Sequence, residues 1–111
     1  MKVKISYKGN TLIAGIIGEL DHHSAEYIRE KIDAELVKAT TKNVIFDFSK
    51  VTFMDSSGIG VIMGRYKNVS KLNGKLSVAN VNPQLMRIFD MSGLRKVIPV
   101  YDNIDIAINK M

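Results

Sequence analysis

The stretch Asn43-Val44-Ile45-Phe46-Asp47-Phe48-Ser49-Lys50-Val51-Thr52-Phe53-Met54-Asp55-Ser56-Ser57-Gly58-Ile59-Gly60 decides how the rest of the chain is read. It opens as a β-branched and aromatic run, Asn43 to Phe48, with apolar residues on both faces at its centre, as a central strand covered on two sides requires. It closes on two adjacent serines and two glycines. From Gly58 to Leu72, Ile62, Tyr66, Val69 and Leu72 recur at helical spacing, and Asn73-Gly74 supplies residues that accept a left-handed helix end. The passage is a strand running into a helix. The seam between the two is where open α/β sheets place their functional groups.

Working outward, Val3, Ile5 and Tyr7 alternate with Lys4, Ser6 and Lys8, Gly9-Asn10 suits a tight reversal, and Leu12 to Ile17 is the partner strand of a hairpin. After Gly18-Glu19-Leu20-Asp21-His22-His23, Ala25, Ile28, Ile32, Leu36 and Ala39 fall on one helical face, and Thr40-Thr41-Lys42 ends that helix. Either Asp21 or Ser24 supplies its cap, and Glu26 sits where the helix dipole favours an acid. Lys75 to Ala79 is a further strand. Asn82-Pro83 starts a helix with Leu85, Ile88 and Phe89 on its buried stripe, and it stops around Met91-Ser92-Gly93. Val97 to Tyr101 reads as a last strand, and Asn103 to Lys110 as a last helix with Ile104, Ala107 and Ile108 facing inward. The order β-β-α-β-α-β-α-β-α predicts an α/β fold, a mixed sheet flanked by helices, as one domain over residues 1–111.

Composition removes several classes of function. Apolar residues at 46% and charged residues at 24% are those of a globular domain, and no stretch is apolar and long enough to span a membrane. Absence of cysteine excludes disulfides, thiolate zinc sites and cysteine nucleophiles, and suits a cytoplasmic protein. The net charge of +5 raises the question of nucleic acid, but the sixteen basic residues are scattered among acids, which is the pattern of a solvated surface. No direct nucleic-acid partner, no membrane partner and no cofactor are expected.

The seam itself allows two readings. Ser56 or Ser57 can simply cap the first amides of the helix. Gly58, Gly60 and Gly64 fit that reading less well, because each costs about 1 kcal/mol relative to alanine where a helix should nucleate. Such positions call for a close approach, either by the backbone of the same fold or by another protein's active site reaching for a serine hydroxyl. Ile59 lies off the stripe of Ile62, Tyr66, Val69 and Leu72, so it is expected at the surface beside the serines, as in a docking patch. Met54-Asp55-Ser56-Ser57-Gly58 lacks the leading glycine of a nucleophile elbow, and Gly58-Ile59-Gly60 lacks the ending of a phosphate-binding loop. The only histidines, His22 and His23, are adjacent; on an extended segment they diverge and chelate poorly. The chain is not expected to be an enzyme.

Four separated motifs, Gly18-Glu19-Leu20-Asp21-His22-His23, Phe53 to Ile62, Gly64-Arg65-Tyr66-Lys67 and Phe89-Asp90-Met91-Ser92-Gly93-Leu94, together resemble the anti-sigma factor antagonists, whose fold is the STAS domain. Within that family the likeness is greatest to the sporulation branch acting on an anti-sigma F factor. The resemblance implies a non-enzymatic partner switch. The unmodified antagonist binds an anti-sigma factor that is also a serine kinase, and this frees a sporulation sigma factor for transcription. Phosphorylation of the first serine of the Asp-Ser-Ser-Gly motif, here Ser56, turns the antagonist off, and a PP2C-type serine phosphatase restores it. Asp21, Asp55, Ser56, Ser57, Gly58, Ile59 and Gly60 are then the expected partner-binding residues, with Ile59 in place of the family's more usual leucine. The alternatives are a small nucleotide-binding or hydrolytic STAS protein using the same helix start, and an antagonist of the general-stress type.

Overall fold

Strands and helices alternate as β1 (Lys2–Lys8), β2 (Thr11–Leu20), α1 (Ala25–Lys38), β3 (Asn43–Met54), α2 (Ser56–Lys71), β4 (Leu76–Ala79), α3 (Pro83–Ser92), β5 (Val100–Tyr101) and α4 (Ile104–Asn109) in the computed structural model, which describes residues 2–38 and 42–111. The expected roles of Ala39 in the first helical stripe and of Thr40-Thr41 in ending it lie outside the described residues. The strands form a sheet in the order β1-β2-β3-β4-β5. β1 runs antiparallel to β2 around Gly9-Asn10, with Lys8 opposite Thr11, and the remaining neighbours are parallel, each joined through a helix. This is the mixed sheet that the β-β-α-β-α-β-α-β-α order predicts.

The alternation along β2 and β3 sends Leu12, Ala14 and Ile16, with Val44, Phe46 and Phe48, into the main core, where they meet Ile28 and Ile32 of α1, Val61, Ile62 and Val69 of α2, and Leu85 and Phe89 of α3. Phe48 and Phe89 meet edge to face with centroids 5.7 Å apart, an arrangement that adds roughly 0.5–1.5 kcal/mol to their burial. The other sheet face carries a smaller cluster, in which Ala107 of α4 packs on Ile45 and Ala79 beside Ile104 and Ile108. Both sides of β3 are therefore covered at its centre, which is why Val44-Ile45-Phe46 reads as an unbroken apolar run.

α3 follows its sequence signals closely. The Asn82 side-chain oxygen accepts from Leu85 N at 2.8 Å, Pro83 opens the helix, and Gly93 at φ +77° closes it in the left-handed region.

Four expectations need correction. β3 does not stop at Phe48 but runs to Met54, and β2 likewise runs past Ile17 to Leu20. Their pairing shifts register between Gly15 and Ile17 and again between Gly18 and Glu19, so a simple alternation breaks while the strands continue. Gly18, at φ +106°, supplies the backbone conformation that one of those shifts needs. The last strand shrinks to Val100–Tyr101 because Val97 and Ile98, which follow a 3₁₀ turn over Leu94–Lys96, both donate their amides back to Leu94 O instead of pairing with a strand.

On α2, Leu72 is exposed rather than buried, and Arg65 takes a place in the buried face. Its Nε lies 2.9 Å from Oδ1 of Asp33 on α1, an ion pair bent away from hydrogen-bond geometry. Burial lowers the pKa of this guanidinium, and the Asp33 carboxylate works against that shift.

Candidate functional site

β2 and β3 finish level with each other, Leu20 opposite Met54, so the turns that follow them are neighbours. Asp55 joins those turns. Its backbone is extended (φ −116°, ψ −168°), its Oδ1 accepts from Ser57 N at 2.8 Å, and its Oδ2 accepts from His22 N at 3.2 Å. Its own N–H donates to Leu20 O at 3.4 Å. Asp55 is therefore the cap of α2, and neither Ser56 nor Ser57 fills that role. Ser56 becomes the first helical residue and is exposed, while Ser57 is half-buried.

The turn before α1 is closed by Asp21, which settles the choice between it and Ser24 in favour of a reciprocal arrangement. Asp21 Oδ1 accepts from His23 N and Ser24 N, each at 3.0 Å. Ser24 Oγ accepts from Asp21 N at 3.0 Å and donates to Glu19 O at 2.7 Å. This is the logic of a capping box, with serine in the returning position. Partial desolvation raises the pKa of Asp21, but hydrogen bonds from Ser24 and His23 outweigh it, and the carboxyl is held below the ordinary aspartate value. A lowered native pKa stabilises the turn above the unfolded-state pKa, and that contribution disappears as pH falls through the native one. We expect the His23 and Ser24 amides to lose exchange protection on acidification below the usual aspartate range, and Asp21→Asn to abolish that pH dependence. Hydrogen exchange followed by NMR reads both.

The glycines divide. A Cβ on Gly58 would lie 2.4 Å from Met54 Cγ and 2.9 Å from Leu20 Cγ, so at Gly58 the close approach comes from the fold itself. At Gly60 and Gly64 an added methyl group would meet nothing within 4 Å, so their own fold does not require glycine there. Gly60→Ala and Gly64→Ala should each raise stability by about 0.5–1 kcal/mol through helix propensity alone. Urea unfolding curves that moved the other way would show that these two positions serve the fold after all.

Ile59 is half-buried rather than free at the surface: it packs partly on the core and lines a shallow groove with Met54, Asp55, Ser56, Ile88, Met91 and Ser92. Met91 is 88% exposed, so an apolar side chain stands open beside the serine. His22 and His23 are both exposed, and their rings meet edge to face with centroids 5.8 Å apart. They do not diverge as expected, because the segment is a turn rather than extended chain. Among the described residues no group of His, Asp and Glu is arranged to hold a metal, and no helix is long and apolar enough to cross a membrane. The structure thus gathers Asp21 and Asp55 to Gly60 at one end of the sheet. It adds His22, Ile88 and Met91, which periodicity cannot find because their closeness to Ser56 depends on contacts far apart in sequence.

The STAS domain signature matches residues 2–107, and the chain belongs to the STAS domain family. It is 38% identical over 103 residues to an anti-sigma F factor antagonist from Paenibacillus polymyxa, covering 93% of this chain and 88% of the relative. An anti-sigma-B factor antagonist from Bacillus subtilis is 32% identical over 100 residues, covering 90% of each. Among solved structures, the chain superposes on the anti-sigma factor antagonist SpoIIAA in its unphosphorylated form with a TM-score of 0.74 at 27% identity, covering 98% of this chain and 96% of that one. SpoIIAA of Bacillus in its phosphorylated form matches with a TM-score of 0.75 at 29% identity, covering 98% of each chain.

Proposed function

We propose that this protein is an anti-sigma factor antagonist whose switch is the hydroxyl of Ser56. The observation that carries this reading is the division of labour at the start of α2: Asp55 caps the helix, and the exposed Ser56 hydroxyl is left to chemistry. Similarity to proteins named as antagonists of anti-sigma factors, one of them solved in phosphorylated and unphosphorylated forms, supports it.

In the unmodified state the chain binds an anti-sigma factor through the end of the sheet that holds Asp21, Asp55, Ser56, Ser57, Gly58, Ile59 and Gly60, and a sporulation sigma factor is released. The anti-sigma factor is also the kinase. Ser56 Oγ attacks the γ-phosphorus of ATP, the new O–P bond forms as the bond to ADP breaks, and the hydroxyl proton passes to a base of the kinase. A PP2C-type phosphatase delivers water to the phosphoserine and returns the hydroxyl and inorganic phosphate. The protein itself is substrate and ligand, not catalyst.

Intact-mass and peptide analysis after incubation with the anti-sigma kinase and ATP tests the assignment. One added phosphoryl group is expected on Ser56, and none on Ser56→Ala. Phosphate on Ser57 in either protein would refute the choice of serine.

The similarity to an anti-sigma-B factor antagonist supports a second reading, in which the partner belongs to the general-stress type. Parallel binding measurements with an anti-sigma F and an anti-sigma B factor separate the two, and the tighter partner identifies the branch.

A further inference from the structure

We propose that the His22–His23 turn is part of the surface that meets the anti-sigma kinase, and that Asp55 is the positioning residue that holds the turn beside Ser56. This rests on the partner-switch reading above. The two carboxylates that stand out in the sequence at this end are both engaged by backbone amides: Asp21 by those of His23 and Ser24, Asp55 by those of Ser57 and His22. Their first task is to shape the turns. The exposed polar side chains at this end include His22, His23, Glu19 and Ser56, with Ser92 across the groove donating its hydroxyl to Phe89 O.

Of these, the histidines offer both ring N–H donors and flat apolar faces, and edge to face at 5.8 Å they make one small aromatic platform. Glu19 and Asp21 beside them disfavour a bare phosphate as the occupant, whereas a mixed aromatic and polar rim next to the groove of Ile59, Ile88 and Met91 fits a protein surface.

The bond from His22 N to Asp55 Oδ2, at 3.2 Å, crosses 33 positions of sequence to join this platform to the residue preceding the switch serine. Asp55 therefore acts on the partner through the histidines, without itself needing to touch it.

A double-mutant cycle tests this on the full chain. Asp55→Ser keeps an oxygen that can cap Ser57 N and removes the reach to His22 N. The paired change His22→Ala and His23→Ala removes the platform. Binding to the anti-sigma kinase in the presence of ADP is measured for wild type, each change and the combination. Each alone should weaken binding by about tenfold, and together they should weaken it by no more than about twofold beyond the larger single loss, since both act through one contact.

His22 amide exchange should accelerate in Asp55→Ser while the urea midpoint stays near that of wild type. If serine at this position compromises folding, Asp55→Asn, which keeps one acceptor oxygen, replaces it. Unchanged affinity in the histidine pair, or losses that multiply, would overturn the proposal. A wild-type chain that fails to bind the kinase refutes the partner reading instead, and with it the contact half of this inference; His22 exchange in Asp55→Ser, measured on the protein alone, still decides the positioning half.

Discussion

Phosphorylation of Ser56 is expected to weaken binding to the anti-sigma kinase by roughly tens to thousands of fold while leaving the fold of the free protein intact. The two halves of this expectation have different causes. In the free protein the new group adds about −1.5 to −2 charges at the first residue of α2, where the helix dipole favours an anion even though Asp55 already occupies the Ser57 and Gly58 amides. Ser56 is exposed, so its phosphate stays hydrated, and the unfolding midpoint should hardly move. In the complex the same charge must leave water against a surface that already contains Asp55, and stranding an unpaired charge at an interface costs about 2–5 kcal/mol. At about 1.4 kcal/mol per factor of ten, that range sets the fold-change. Ser56→Asp should weaken binding in the same direction but less, having one charge and a shorter reach. Calorimetric titration of the kinase with unmodified and phosphorylated protein, beside a urea curve for each, measures both halves. Equal affinities would remove the switch, and a large drop in stability would replace a surface mechanism with an unfolding one.

The largest expected effect on stability comes from Gly74→Ala. A Cβ at this position would sit 1.7 Å from the carbonyl oxygen of Lys42 and 2.8 Å from Val69 Cγ1. Lys42 cannot easily yield, because its N–H donates to Asn10 O at 3.0 Å and the next strand residue but one, Val44, donates to Lys75 O at 2.9 Å. Gly74 is itself tied to the end of α2 through its N–H to Val69 O at 2.9 Å. Three chain segments therefore converge on a space without room for a methyl group. A loss of about 3 kcal/mol or more is expected, by overpacking against backbone rather than against a movable side chain. For a domain of this size that lowers the melting temperature by about 10 °C or more. The contrast with Gly60→Ala is the sharpest check, since helix and chain-entropy terms alone would make alanine favourable at many glycines. A Gly74→Ala protein as stable as wild type would mean that the junction of α2, β3 and β4 is looser than these distances imply.

What could be read from sequence was largely what depends on near neighbours. Asn82-Pro83 and Gly93 delimit α3 because a cap, a fixed φ and a left-handed residue are local requirements. The strand and helix order, and the stripe of Ile28 and Ile32 on α1, follow from side-chain periodicity. What escaped depends on partners far along the chain. The second halves of β2 and β3 hold each other as strands through a shifted register, and neither half shows a clean alternation alone. Arg65 is buried because Asp33 on another helix meets it, whereas a reading by hydropathy expects Leu72 to be inside. At the candidate site, the helix start and the exposure of Ser56 were legible. The identity of the cap was not, since aspartate and serine are comparable in that role and only the structure shows which one reaches Ser57 N. Nor does any local pattern announce that Asp55 reaches His22.

The level ending of β2 and β3 has a consequence for how this protein can vary. With Leu20 paired to Met54, the spacing between the histidines and the serine is measured out by the ladder of the sheet and not by flexible loops. Lengthening either strand by two residues would slide one turn past the other by roughly 7 Å while keeping every side chain on its own face. Such an insertion would leave a sound body with the histidine turn and Ser56 displaced from each other, so the sheet serves here as a ruler as well as a scaffold.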